Sequence, residues 1–199
     1  MPHWFRRFAD IPGLTYAPTK PVARTSIPGH DATPTIESYT ADGKRHTSLT
    51  WQLPNGTTSA SPASQHKPAD DSTAALLRNI DETLELPGEP SDYHFALQHV
   101  IGTLWDRHEP HTLADIERLC WANINLIEAA PKAVQFEDAE GKRSFVGVRA
   151  FFILMRIYER EGFLTEAIKV AELARRFGQG DDDLKELRER LATLESDTE

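Results

Sequence analysis

The sequence predicts an all-α fold of about six helices paired as antiparallel hairpins, preceded by a proline-rich, largely irregular arm that holds one β-hairpin. Two observations predict it. Nine of the thirteen prolines fall before residue 71, in runs such as SIPGHDATPT and PNGTTSASPASQHKPADDS, where fixed proline dihedrals, missing amide donors and flexible Gly and Ser oppose helices and a packed core. From Asp71 onward apolar residues recur at three- and four-residue spacing between short breaks, which is the period of an amphipathic helix. The arm is therefore taken as 1–70 and the helical domain as 71–199.

In the arm, TIESYT-ADGK-RHTSLTWQL alternates around a turn and predicts a β-hairpin over 35–53, with Ile36, Leu49, Trp51 and Leu53 on one face. An isolated hairpin is marginal in water, so Trp51 is expected to lean on the helical part. Asp71 or Ser72 caps a first helix through AALLRNIDETLEL, which Pro87 and Gly88 end. Ser91 or Asp92 starts a second, YHFALQHVIGTLWDR, stopped before Pro110. Thr112 is expected to cap a third, LADIERLCWANINLIEA, ended by Pro131. The segment PKAVQFEDAEGKRS reads as a loop or a small β-turn-β element, since AVQF and RSFVGV flank EDAEGK. A fourth helix through VGVRAFFILMRIYERE ends at Gly162, a fifth, EAIKVAELARRF, starts at Thr165 and ends at Gly178 and Gly180, and a sixth, DDDLKELRERLATLE, opens on three aspartates suited to a helix N-terminus. Its leucines 184, 187, 191 and 194 draw one stripe, as expected of a helix closing the end of a stack.

Two stretches echo one another about 52 residues apart, LWDRHEPHTLADIERLCWA (104–122) and IYEREGFLTEAIKVAELA (157–174). Trp105 aligns with Tyr158, Asp106 with Glu159, Arg107 with Arg160 and, after one residue of adjustment in the turn, Ile116 with Ile168 and Ala122 with Ala174. Recurrence of a helix-turn-helix unit is the mark of a repeat protein whose units bury their apolar faces on one another. The second copy, 148–177, resembles a tetratricopeptide repeat: Phe151, Leu154, Tyr158, Gly162, Ala167, Ala171 and Ala174 stand where that family places its bulky, leucine, aromatic, turn-glycine and small residues. Met155 departs from it, standing where the family has a small residue, and no proline follows near Gln179. The resemblance implies a surface that holds another polypeptide.

Composition narrows the function classes. Residues 1–70 carry seven Lys and Arg against five Asp and Glu, leaving 15 against 26 for 71–199, a balance of −11 that repels phosphate backbones and speaks against nucleic acid. No stretch approaches the roughly 20 apolar residues of a membrane-spanning helix, so no stable membrane insertion is expected. The N-terminus MPHWFRRFADIPG lacks the apolar core of a secretory signal, which makes the cytoplasm the expected location. Its Trp4, Phe5 and Phe8 beside Arg6 and Arg7 read first as packing on the protein's own surface, then as a short docking motif, and last as a weak membrane-surface anchor. The single cysteine, Cys120, lies in the apolar run LCWANINLI and is expected to fill core.

The candidate binding residues follow from the resemblance, because the first helix of each hairpin lines the inner face. Arg149, Phe152, Arg156 and Arg160 fall at spacings of three, four and four and share one helix face. Such arginines around an aromatic suit an acidic peptide or protein partner through forked hydrogen bonds, and the bland alternative is that they are merely solvated or paired with Glu159, Glu161 and Glu166. The earlier hairpin offers His99, Thr103, Asp106 and Arg107 on the corresponding face. His108 and His111 sit near Asp106, Glu109 and Asp115, but Pro110 breaks the rigid spacing a metal needs, so neither metal nor cofactor is expected. No nucleophile elbow, phosphate-cradling glycine loop or His-Glu-x-x-His helix is present, and no catalytic residue is assigned. The expected function is thus a non-enzymatic adaptor or scaffold. Two rivals are a small-molecule or catalytic pocket between the second, third and fourth helices using His99, Asn123 and Asn125, and self-association through Phe151, Phe152, Ile153 and Leu154 into a homo-oligomer.

Overall fold

A computed structural model describes residues 35–41, 43–53, 56–86, 88–137 and 143–196. The described chain is mostly helical, with short strands, and divides into two compact units between Ala96 and Leu97.

The first unit opens with a three-stranded antiparallel sheet in chain order, β1 (Thr35–Ala41), β2 (Lys44–Leu53) and β3 (Gly56–Ala60). The expected hairpin is there, with Ala41 opposite Lys44, and β3 extends it: Leu53 faces Gly56 and Leu49 faces Ala60. Sequence alternation missed β3 because GTTSA offers no apolar side chain larger than Ala60 to mark a face. Of the hairpin's expected apolar face, Leu49 is fully buried, while the side chains of Ile36, Trp51 and Leu53 lie outside the described residues, as do the N-terminal run MPHWFRRF and the segment SIPGHDATP. A single turn, α1 (Pro62–Gln65), follows, capped by the Ser61 hydroxyl, which accepts from the Ser64 amide at 3.0 Å. Helix α2 (Thr73–Glu85) begins where expected, with the Ser72 hydroxyl accepting from the Ala75 amide at 3.1 Å. It buries Leu76 and Ile80 with Ala63 and Leu86, and Tyr93 closes this core while donating to the Leu86 carbonyl at 2.6 Å.

Helix α3 (Pro90–Arg107) starts one residue before Ser91, with proline in the first turn, where its missing donor costs nothing. In the second unit α3 ends at His108, whose φ of +55° is left-handed, and a 3-10 turn over Pro110–Thr112 leads into α4 (Leu113–Ala129). Thr112 is not the expected side-chain cap. Its φ and ψ of −91° and −6° already belong to the turn, and its hydroxyl points back to the Glu109 carbonyl at 2.8 Å. A second 3-10 turn, Pro131–Ala133, precedes the two-stranded antiparallel element β4 (Gln135–Glu137) and β5 (Arg143–Phe145), the β-turn-β alternative for this segment.

Helix α5 (Arg149–Arg160) and α6 (Leu164–Arg175) are joined by Glu161, Gly162 and Phe163. Gly162 has φ +80°, a conformation a side chain resists, and the Phe163 amide returns to the Tyr158 carbonyl at 2.8 Å. Ala167, Ala171 and Ala174 are fully buried, and α5 and α6 make the closest helix approach of the unit. Helices α4 and α5, and α6 and α7 (Asp181–Ser196), are also close neighbours, whereas α3 and α4 stand further apart. Helix α4 buries Ile116, Leu119, Cys120 and Ile124, where α6 buries the smaller Ala167, Ala171 and Ala174. Cys120 is fully buried, and burial pushes its thiol far up, so it is core filler. Helix α7 buries Leu184 and Leu187 and leaves Leu194 exposed, so only the first half of its stripe is covered.

Candidate functional site

Helix α5 divides sharply into two faces. Phe151, Ile153, Leu154, Met155, Ile157 and Tyr158 are buried, and Arg149, Phe152, Arg156 and Arg160 form the exposed face. The run Phe151 to Leu154 therefore presents no continuous apolar surface. Phe152 alone is exposed, at 47%, and self-association loses the support that the unbroken apolar spelling lent it.

The arginines are differently placed. The Arg156 guanidinium carbon lies 5.2 Å from the Phe152 ring centroid, a cation–π contact, and the same group bonds the Glu159 carboxylate at 3.0 Å. Glu159 accepts as well from Arg190 of α7 at 2.6 Å, so it is shared between two helices. The bland alternative holds in part: Glu159 pairs with Arg156, while among the described residues no carboxylate, Glu161 and Glu166 included, pairs with the exposed Arg149 or Arg160. Arg149 is nevertheless held. Its amide donates to the Gln98 side chain of α3 at 3.1 Å, and its guanidinium lies over Gly102, where an added Cβ would sit 2.5 Å from a guanidinium nitrogen. The preceding amide, that of Val148, is taken by the Gln179 side chain at 2.9 Å, and Gln179 in turn donates to the Val146 and Phe177 carbonyls. The Val148 and Arg149 amides at the start of α5 are thus both bonded to glutamine side chains.

On α3, His99 is exposed, with its carbonyl accepting from Thr103, and Arg107 is half-buried. Of the residues of the pocket alternative, Asn123 is fully buried in α4, Asn125 is half-buried and His99 is exposed. The His108 ring bonds the Asp106 carbonyl at 2.8 Å, His111 faces Glu109 at 3.4 Å, and among the described residues no group of three or more His, Cys, Asp or Glu is placed to hold a metal ion. No helix of the described residues is long and apolar enough to cross a membrane.

On its buried face, α5 carries a polar cluster that sequence reasoning missed. Glu117 of α4 is 1% exposed and accepts from the Tyr158 hydroxyl at 2.6 Å, and that oxygen accepts from Trp121 Nε1 at 3.0 Å. Burial pushes the Glu117 carboxyl up to about 7, and the Tyr158 hydrogen bond opposes this only in part. A signal was present: Leu113, Glu117, Cys120, Ile124 and Ile127 step by four, three, four and three, which puts a carboxylate on the apolar stripe.

The chain matches no protein-family model, no curated protein and no solved structure.

Proposed function

We propose that unit 97–199 is a protein-binding module that receives an acidic peptide segment on the exposed face of α5. The observation that carries this reading is the juxtaposition of an exposed Phe152 with Arg149, Arg156 and Arg160, two of which lack a carboxylate partner among the described residues. An aromatic flanked by guanidinium forks gives an acidic chain both apolar contact and paired hydrogen bonds. The tetratricopeptide-like reading of α5 and α6, with the alanines of α6 packed under α5, belongs to the same proposal, as does the adaptor role in the cytoplasm. In this reading the chain holds a partner and turns over no substrate.

The test is fluorescence anisotropy with a labelled synthetic peptide rich in Asp and Glu around one aromatic residue. The double variant Arg149→Glu and Arg156→Glu is expected to weaken binding about tenfold to a hundredfold, and the wild-type affinity is expected to fall as salt rises. Unchanged affinity in the double variant excludes this face.

Gly102→Ala separates positioning from stability. Alanine in a helix interior is favoured over glycine by about 1 kcal/mol, so thermal stability should hold or rise. The new methyl displaces the Arg149 guanidinium, so peptide affinity is expected to drop several-fold in the same protein. Equal affinity for both proteins would show that the seat of Arg149 is irrelevant.

A further inference from the structure

We propose that Glu117, Tyr158 and Trp121 form a proton-operated latch between α4 and α5, closed while the Glu117 carboxyl keeps its proton and loosened once it loses it. This inference is independent of the partner-binding reading, since none of these residues lies on the exposed stripe.

The geometry carries it. One Glu117 oxygen accepts from Tyr158 across the helix interface, and the other is enclosed with no hydrogen-bond partner among the described residues. A neutral carboxyl tolerates that enclosure. A carboxylate does not, because a full charge with one donor in an apolar wall keeps most of its desolvation cost. No cation among the described residues pairs with it. The groups that face it are Tyr158 from α5 and Cys120 from its own helix, and both keep their protons because burial pushes them up. When pH rises, the proton passes to water and the carboxylate left behind can regain hydration only if α4 and α5 part enough to admit solvent. The push of burial brings this event to about pH 7, within the neutral range. Because the folded-state value lies above the ordinary 4.5, the contribution of Glu117 to stability is fully present below about pH 4.5 and is lost as pH rises to about 7, with no further change above that.

The experiment uses the full chain. Carbon-detected NMR follows the Glu117 carboxyl, assigned by its disappearance in Glu117→Gln, and hydrogen exchange corrected for intrinsic rates follows the α4 and α5 amides on either side of neutrality. The expected result is a carboxyl midpoint within about one unit of 7 and faster exchange above it. Glu117→Gln, which keeps a carbonyl for Tyr158, is expected to show no such change in exchange. The wild type is expected to lose several degrees of melting temperature between about pH 5 and 7.5, and Glu117→Gln is expected to lack this decline. A midpoint near 4.5, exchange that stays constant across a midpoint near 7, or parallel melting curves for the two proteins would each overturn the latch. Should Glu117→Gln fail to fold, Tyr158→Phe serves instead. It removes a donor that favours the charged form, so the carboxyl midpoint must move upward, and an unmoved midpoint overturns the proposal.

Discussion

Replacing Phe151 with alanine is expected to destabilise the helical unit by about 3–5 kcal/mol, while the same change one residue later, at Phe152, costs under about 1 kcal/mol. Phe151 is 2% exposed and its ring lies 5.6 Å from that of Phe177, which itself meets Phe145 of β5 edge-on at 5.3 Å. Removing the first ring opens a cavity where the β4–β5 element, α5 and the corner after α6 converge. Losing the second removes a solvent-facing ring and one cation–π contact. Urea denaturation of both variants measures the difference, and equal midpoints would mean that α5 is rotated from the orientation described.

Enlarging Ala171 to leucine is expected to cost about 1–3 kcal/mol and to lower the urea midpoint without changing its slope. Ala171 is fully buried in the helix that approaches α5 most closely, and a Cβ built on Gly180 would come within 3.5 Å of its carbonyl oxygen. The three extra carbons of leucine have to be fitted into an interior from which solvent is already excluded. Lys169→Leu, on the exposed face of the same helix, is the control and is expected to stay within about 0.5 kcal/mol of wild type. Were the alanine change as mild as its control, close packing would not be what holds these two helices together.

Much of this architecture was legible because local rules and tertiary packing agree. Ser72 caps α2, Gly162 turns α5 into α6, and the three-four spacing of Arg149, Phe152, Arg156 and Arg160 lands all four in solvent. Where the reading failed, a neighbour in space decided. The spelling Phe-Phe-Ile-Leu hides that adjacent helical residues point about 100° apart, so three of the four are enclosed and one is not. Thr112 has the right chemistry for a cap, but the 3-10 turn before it fixes a backbone that sends the hydroxyl backward. Strand β3 has no apolar alternation to announce it, and its register follows from β2. Glu117 falls on the apolar stripe of α4 in the sequence, but its partner Tyr158 lies 41 residues away and meets it only in the fold.

The order in which α4, α5, α6 and α7 pack, each against the next in the chain, has a kinetic consequence. Contacts of that kind join residues near one another in sequence, so chain closure costs little entropy before each is made. A unit with such low contact order is expected to fold in about a millisecond or less, one helix docking on its predecessor.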